Sequence, residues 1–125
     1  MDDIYYKNTG IRIINNDILK TKTIPDNSID LIVTSPPYNL DIGYESYNDG
    51  LDYQEYLKLC SKWFKRLWEL AKPDGRFCLN IPLDKSKGGY QSVGADLTCI
   101  AKKSGWKYKT TIIWNEGNIS KGSAW

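Results

Sequence analysis

The residues best suited to chemistry in this chain are Ser35-Pro36-Pro37-Tyr38. They follow Ile29-Asp30-Leu31-Ile32-Val33-Thr34, a largely apolar run that reads as a strand. Neither proline has a backbone N–H to donate, and each has a restricted φ. Each also pushes the residue before it toward an extended conformation. The tetrapeptide is therefore a stiff segment of bare carbonyl acceptors, with a hydroxyl at one end and an aromatic ring at the other. Such a loop suits a flat ligand carrying an amino group: the ring stacks on the ligand's face and the oxygens accept the amine hydrogens. A bare Pro-Pro-Tyr is more often a turn that only ends a strand, so the flanking residues must carry the functional reading.

With its flanks, the stretch Asp30 to Asn39 reads DLIVTSPPYN. It resembles the catalytic motif of the DNA amino-methyltransferases, which move a methyl group from S-adenosylmethionine to the exocyclic amine of cytosine or adenine. The resemblance implies that Ser35, Pro36, Pro37 and Tyr38 are catalytic. A serine in first place is the usual mark of the cytosine-N4 group, so an adenine-N6 enzyme is the alternative. An exocyclic amine is a poor nucleophile because its lone pair is conjugated with the ring. Ser35 and the Pro36 carbonyl are candidate acceptors that would favour a more tetrahedral, nucleophilic nitrogen, a case of preorganised electrostatics. Tyr38 is the candidate stacking platform for a base flipped out of the duplex. Asn39 and Leu40 continue the pattern in a supporting role, and the resemblance makes Asn39, with Tyr38, a candidate substrate or DNA contact. A carbon-5 cytosine methyltransferase would need a thiol after a proline, and none of Cys60, Cys78 and Cys99 follows one.

The elements that must position this loop alternate in type. Ile11 to Asn16 reads as a short strand ending at Asp17, and Ile29 to Thr34 as a second strand apolar enough for burial on both faces. Tyr53, Tyr56, Leu57, Cys60, Phe64, Leu67 and Ala71 recur at helical spacing, which predicts an amphipathic helix over about 51–72. Pro73-Asp74-Gly75 should stop it. A third strand follows over Arg76–Ile81, a second helix over Ser92–Lys103 and a fourth strand over Tyr108–Trp114. Alternation of this kind predicts an α/β fold with a parallel sheet and right-handed crossovers. Ligands of such sheets bind beyond the carboxyl ends of the strands, where Asp17, the Ser35–Tyr38 loop and Asn80–Pro82 would meet. The resemblance makes this a Rossmann-like methyltransferase fold, a parallel-sheet three-layer sandwich that is incomplete in this chain.

Composition narrows the classes. The chain has 125 residues, enough for one domain, with 41 % hydrophobic and 13 % aromatic residues. Its 17 basic and 15 acidic residues leave +2, so no global basic field announces nucleic acid. Double-stranded DNA, the partner the resemblance implies, would be held by local clusters. Lys85 and Lys87, in a glycine-containing loop with Gly88 and Gly89, are candidate phosphate contacts, although a solvated loop reads equally well. The three cysteines show no CxxC spacing; buried free thiols in a cytoplasmic protein are expected, with no metal site. No signal peptide and no membrane span is legible.

Asp17 could accept from an amine or a ribose hydroxyl, and the resemblance puts such an acidic residue beside the S-adenosylmethionine adenine. It could equally cap a helix start before Ile18-Leu19. Asn16 is a weaker candidate for the same cofactor role. Near the end, Ile113-Trp114-Asn115 with Gly117-Asn118 resembles the family's later motif, usually a variant of IWNKGN, with Glu116 where lysine is common. The family's glycine-rich cofactor loop has no counterpart in the chain. The expectation is therefore that residues 1–125 are a partial catalytic domain, lacking the cofactor loop and the target-recognition segment. A homodimer or a complementary C-terminal half would then cover the edge of the Ile29–Thr34 strand. The expected function is transfer to cytosine N4 in a restriction–modification system. A non-catalytic or split-enzyme subunit is the competing reading, and methylation of RNA or of a glutamine side chain is disfavoured by Ser35.

Overall fold

The structure is a computed structural model that describes residues 3–39, 43–45, 47–84, 90–115 and 117. Its dominant element is helix α1 (Tyr53–Leu70), slightly shorter than the expected 51–72. Asp52 sets its start, because its carboxylate accepts the Gln54 N–H and satisfies one of the amides a helix start leaves without a partner. Tyr56, Cys60 and Phe64, spaced by four, share one face and are buried. They meet Val93 and Leu97 of helix α2 (Val93–Lys103). Phe77 and Leu79, from strand β4 (Ala71–Leu79), and Trp106 close the cluster. The Phe77 ring lies edge-on to Phe64 at 5.4 Å between centroids and 5.0 Å from Trp106.

Helix α1 ends before the proline turn rather than at it, and the chain enters β4 at once. The carbonyls of Glu69 and Leu70 accept the N–H groups of Asn27 and Ser28. Asn27 reaches them with φ +53°, a left-handed conformation that asparagine tolerates well. The Pro25-Asp26-Asn27 turn thus caps a helix distant in sequence. Strand β3 (Ile29–Thr34) pairs in parallel with β4, with Ile29 opposite Ala71 and Leu31 opposite Arg76. The longer stretch of β4 between those two pairings holds Pro73-Asp74-Gly75, which bulges because proline cannot donate to a ladder. From Leu31 the ladder runs in step to Thr34 opposite Leu79, and the Asn80 N–H extends it to the Thr34 carbonyl.

Four expectations are corrected. The Ile11–Asn16 strand is not in the parallel sheet. Its core, β2 (Arg12–Ile14), pairs antiparallel with β1 (Ile4–Lys7) in a sheet of their own. Asn8 explains why, since its side-chain oxygen accepts the N–H groups of Gly10 and Ile11 and folds the chain back locally. Tyr108–Trp114 forms no strand, and Ile112 and Trp114 are 89 % and 83 % exposed. Strand propensity is expressed only against a neighbouring strand, and none among the described residues pairs with this segment. Strand β3 is covered on one face only. Helices α1 and α2 pack against the face carrying Phe77 and Leu79, while Leu31, Val33 and Cys78 on the other face are exposed. Finally, of the three free thiols, only Cys60 is buried; Cys78 and Cys99 are not.

Gly105, just past α2, holds φ +111°, and a Cβ there would lie 2.6 Å from the Trp68 indole nitrogen. Gly105→Ala is expected to destabilise the chain by about 1–3 kcal/mol through strain and this clash, read as a lower urea midpoint with an unchanged m-value.

Candidate active site

Ser35 is the first residue past the β3–β4 ladder and is exposed, whereas Pro36, Pro37 and Tyr38 are half-buried. The Ser35 Oγ and the Tyr38 hydroxyl lie 2.7 Å apart and are hydrogen-bonded across the two prolines, with either able to donate. The Pro37 carbonyl accepts the Tyr56 hydroxyl at 2.8 Å. Asn39 then turns the chain with φ +59° and is buried. Its N–H donates to the buried Asp49 carboxylate at 2.9 Å, and its Nδ2 donates to the Leu51 carbonyl at 2.9 Å. The loop is thus fixed to α1 at Pro37 and to the 49–51 segment at Asn39. The Ser35 Oγ lone pairs and the Pro36 carbonyl remain as acceptors, since no bond to the Pro36 carbonyl exists among the described residues.

Asn39, expected on the DNA side, is buried and its donors are spent inside the fold, so it shapes the loop rather than facing solvent. Its Oδ1 is buried with no hydrogen-bond partner among the described residues, a cost of about 1–3 kcal/mol. The aromatic loop also has a structural role. The Tyr47 ring packs on Trp63 at 6.3 Å between centroids and covers the core edge, with Tyr44 against it at 6.1 Å.

Asn16 and Asp17 belong to the end of the β1–β2 sheet, and no hydrogen bond among the described residues joins them to the Ser35–Asn39 loop. Asp17 caps the turn after it, accepting the Leu19 N–H on Oδ1 at 2.9 Å, while its second oxygen has no partner among the described residues. Asn16 is committed at both ends: Nδ2 donates to Asp3 at 2.8 Å and Oδ1 accepts the Asp17 N–H at 2.7 Å. Both residues are exposed. Asp17 has an oxygen to offer a ligand hydroxyl or amine, whereas both polar atoms of the Asn16 side chain are already hydrogen-bonded.

The hydroxyls of Thr21 and Thr23 also donate to the Asp3 carboxylate. The Thr21 bond, then the Asn16 bond, hold the Asp3 carboxyl below its ordinary value of 3.8. A carboxyl lowered in the folded state adds stability above its ordinary pKa and loses it as pH falls through the folded value. An acid titration of the Asn16 side-chain amide resonance is expected to show a transition centred below pH 3.8, which Asp3→Asn removes. Lys85, Lys87, Gly88 and Gly89, like Leu40, Glu116 and Asn118, lie outside the described residues. Among the described residues no cluster of His, Cys, Asp and Glu is placed to hold a metal, and no helix is long and apolar enough to cross a membrane.

A family model described as DNA methylase matches residues 29–124, from the first residue of β3 through the loop and nearly to the chain's last residue. The chain belongs to the DNA methylase family. This family member is 54 % identical to the type II methyltransferase M.MjaVI of Methanocaldococcus jannaschii over 122 residues, covering 98 % of the chain and 62 % of that protein. It is 40 % identical to the type II methyltransferase M.HpaI of Haemophilus parainfluenzae over 102 residues, 82 % of the chain and 30 % of that protein. The chain therefore spans 62 % or less of these relatives' own length. A solved structure from Thermus thermophilus, described as that of a putative DNA modification methylase, superposes with a TM-score of 0.58 at 24 % identity. It matches 79 % of this chain and 44 % of its own, and the likeness is one of fold.

Two residues of this methylase-family site carry no loop-anchoring signal in the sequence: Tyr56 reads only as one of the residues at helical spacing, and Asp49 stands out in no motif. Tyr56 does carry a more general signal, because a phenol on a buried face needs a hydrogen-bond acceptor. Its acceptor is the loop's own carbonyl. Burial, before any neighbouring group, pushes the Tyr56 pKa well up, so the phenol stays a donor.

Proposed function

We propose that residues 1–125 are part of the catalytic domain of an S-adenosylmethionine-dependent DNA methyltransferase that modifies the N4 amine of a flipped cytosine. The observation that carries this reading is the pairing of the Ser35 and Tyr38 hydroxyls, 2.7 Å apart, on a loop anchored at the carboxyl end of β3. The Ser35 Oγ and the Pro36 carbonyl accept the two amine hydrogens and draw the nitrogen's lone pair out of conjugation. If Ser35 donates its own hydrogen to Tyr38, its lone pairs stay open to the amine. The Tyr38 ring, half-buried and next to those acceptors, stacks on the base. S-adenosylmethionine, when bound, supplies the electrophilic methyl group. Of the two candidates, Asp17 keeps an oxygen for that cofactor, while Asn16 holds Asp3.

The same proposal takes the β3–β4 pair as part of a Rossmann-like three-layer sheet completed by further polypeptide, whether a second copy or a complementary half. Lys85 and Lys87 are proposed as phosphate contacts from their charge alone. Because its relatives M.MjaVI and M.HpaI are type II methyltransferases, we assign the protein to a restriction–modification system. The test is methyl transfer to DNA by the longest form of the protein, with the product digested to nucleosides and identified by mass. N4-methylcytosine is the expected product. N6-methyladenine would keep the class and replace the base. No methylated nucleoside from a folded protein that binds S-adenosylmethionine would overturn the reading.

A further inference from the structure

Tyr56 is fully buried, yet it spends its hydroxyl on a loop carbonyl rather than on its own helix. We propose that Tyr56 is a positioning residue for methyl transfer, holding the Pro37 carbonyl away from the substrate and thereby orienting the Pro36 carbonyl toward the amine. The inference rests on the methyltransferase reading above.

Two torsions decide where the Pro36 oxygen points relative to its neighbour. The orientation of the Pro36 carbonyl relative to the Pro37 carbonyl depends on two angles only, φ and ψ of Pro37, because the peptide between them is planar. The proline ring fixes φ. The Tyr56 hydroxyl, at 2.8 Å, fixes the direction of the Pro37 carbonyl, and the buried Asp49 carboxylate holds the next N–H but one, that of Asn39. With φ set by the ring and the Pro37 carbonyl held by Tyr56, only ψ of Pro37 is left to turn the Pro36 oxygen, and the anchors at Pro37 and Asn39 restrict it. The hydrogen bonding also partitions the acceptors. Tyr56 takes the Pro37 carbonyl out of the loop's acceptors, which leaves the Ser35 Oγ and the Pro36 carbonyl among those open to an amine. The Cys60 side chain, one helical turn on, is also buried and packs in the same cluster as Tyr56.

The test compares Tyr56→Phe with Phe64→Leu in the longest form of the protein. Tyr56→Phe keeps the ring and its packing but removes the bond; Phe64→Leu disturbs the same core two turns away and leaves the bond intact. For Tyr56→Phe the single-turnover methylation rate is expected to fall about ten- to a hundred-fold, with DNA and cofactor dissociation constants unchanged. Phe64→Leu is expected to lower Tm more while leaving the rate nearly unaltered. A Tyr56→Phe rate within about two-fold of wild type overturns the proposal. Hydrogen exchange at the Asn39 amide gives a readout independent of activity. It is expected to quicken in Tyr56→Phe, with core amides of α1 unchanged, and unaltered exchange also overturns the proposal. If the wild-type protein methylates nothing, the methyltransferase reading fails, and the exchange comparison still decides whether Tyr56 holds the loop.

Discussion

Ser35→Ala is expected to cut methyl transfer by about a hundred- to a thousand-fold while leaving the chain folded. The side chain is exposed and its one hydrogen-bond partner among the described residues is the Tyr38 hydroxyl, so little of the fold depends on it. Its loss leaves the Pro36 carbonyl as a lone acceptor, and the amine keeps its planar, conjugated form. The effect should fall on the chemical step rather than on DNA affinity, because the interaction strengthens as the nitrogen becomes tetrahedral. Two companions separate the roles of Tyr38. Tyr38→Phe keeps the ring and loses the bond to Ser35, so its rate should stay within about ten-fold of wild type. Tyr38→Ala removes a stacking surface worth about 1–3 kcal/mol per base and should weaken capture of the flipped base as well. Single-turnover rates with base-flipping fluorescence distinguish the two. A Ser35→Ala variant with wild-type rate would remove Ser35 from the mechanism.

The largest expected effect on stability is that of Phe64→Ala, about 3–5 kcal/mol. Phe64 is 1 % exposed, and its ring touches Phe77 of β4 and shares a cluster with Val93 and Leu97 of α2. Truncation therefore opens a cavity where three elements meet. Few contacts outside that cluster can compensate, since β3 is covered on one face and β1–β2 form a separate sheet. The loss is comparable with the whole stability of a small domain, about 5–15 kcal/mol, so the variant is expected to be largely unfolded at physiological temperature. Urea unfolding followed by tryptophan fluorescence measures it, and a loss under about 1 kcal/mol would show that the cluster is not the core.

The β3 run, the long helix, the β4 strand and α2 were legible as elements, because each is a local pattern, a short apolar run or a helical period; the proline turn expected to stop α1 instead bulges within β4. The Ser35–Tyr38 tetrapeptide was legible for a related reason, since two prolines dictate backbone shape with no help from elsewhere. Family membership followed from the same residues. The failures were non-local or contextual. Residues 4–7 became a strand only because Asn8 folded them onto Arg12–Ile14, and Tyr108–Trp114 kept its strand-forming residues without a strand to pair with.

By itself, then, the sequence determined the backbone character of the Ser35–Tyr38 loop, the elements that flank it and the family to which the chain belongs. Tertiary structure alone decided how that loop is held. The Tyr56 hydroxyl meets the Pro37 carbonyl across 19 positions, and Asp49 meets the Asn39 N–H across ten. It also decided that Asn39 is buried and that Asn16 serves Asp3. Hydrogen-bond partners of this kind depend on which groups the packing brings within about 3 Å, and no local pattern of residues encodes that distance.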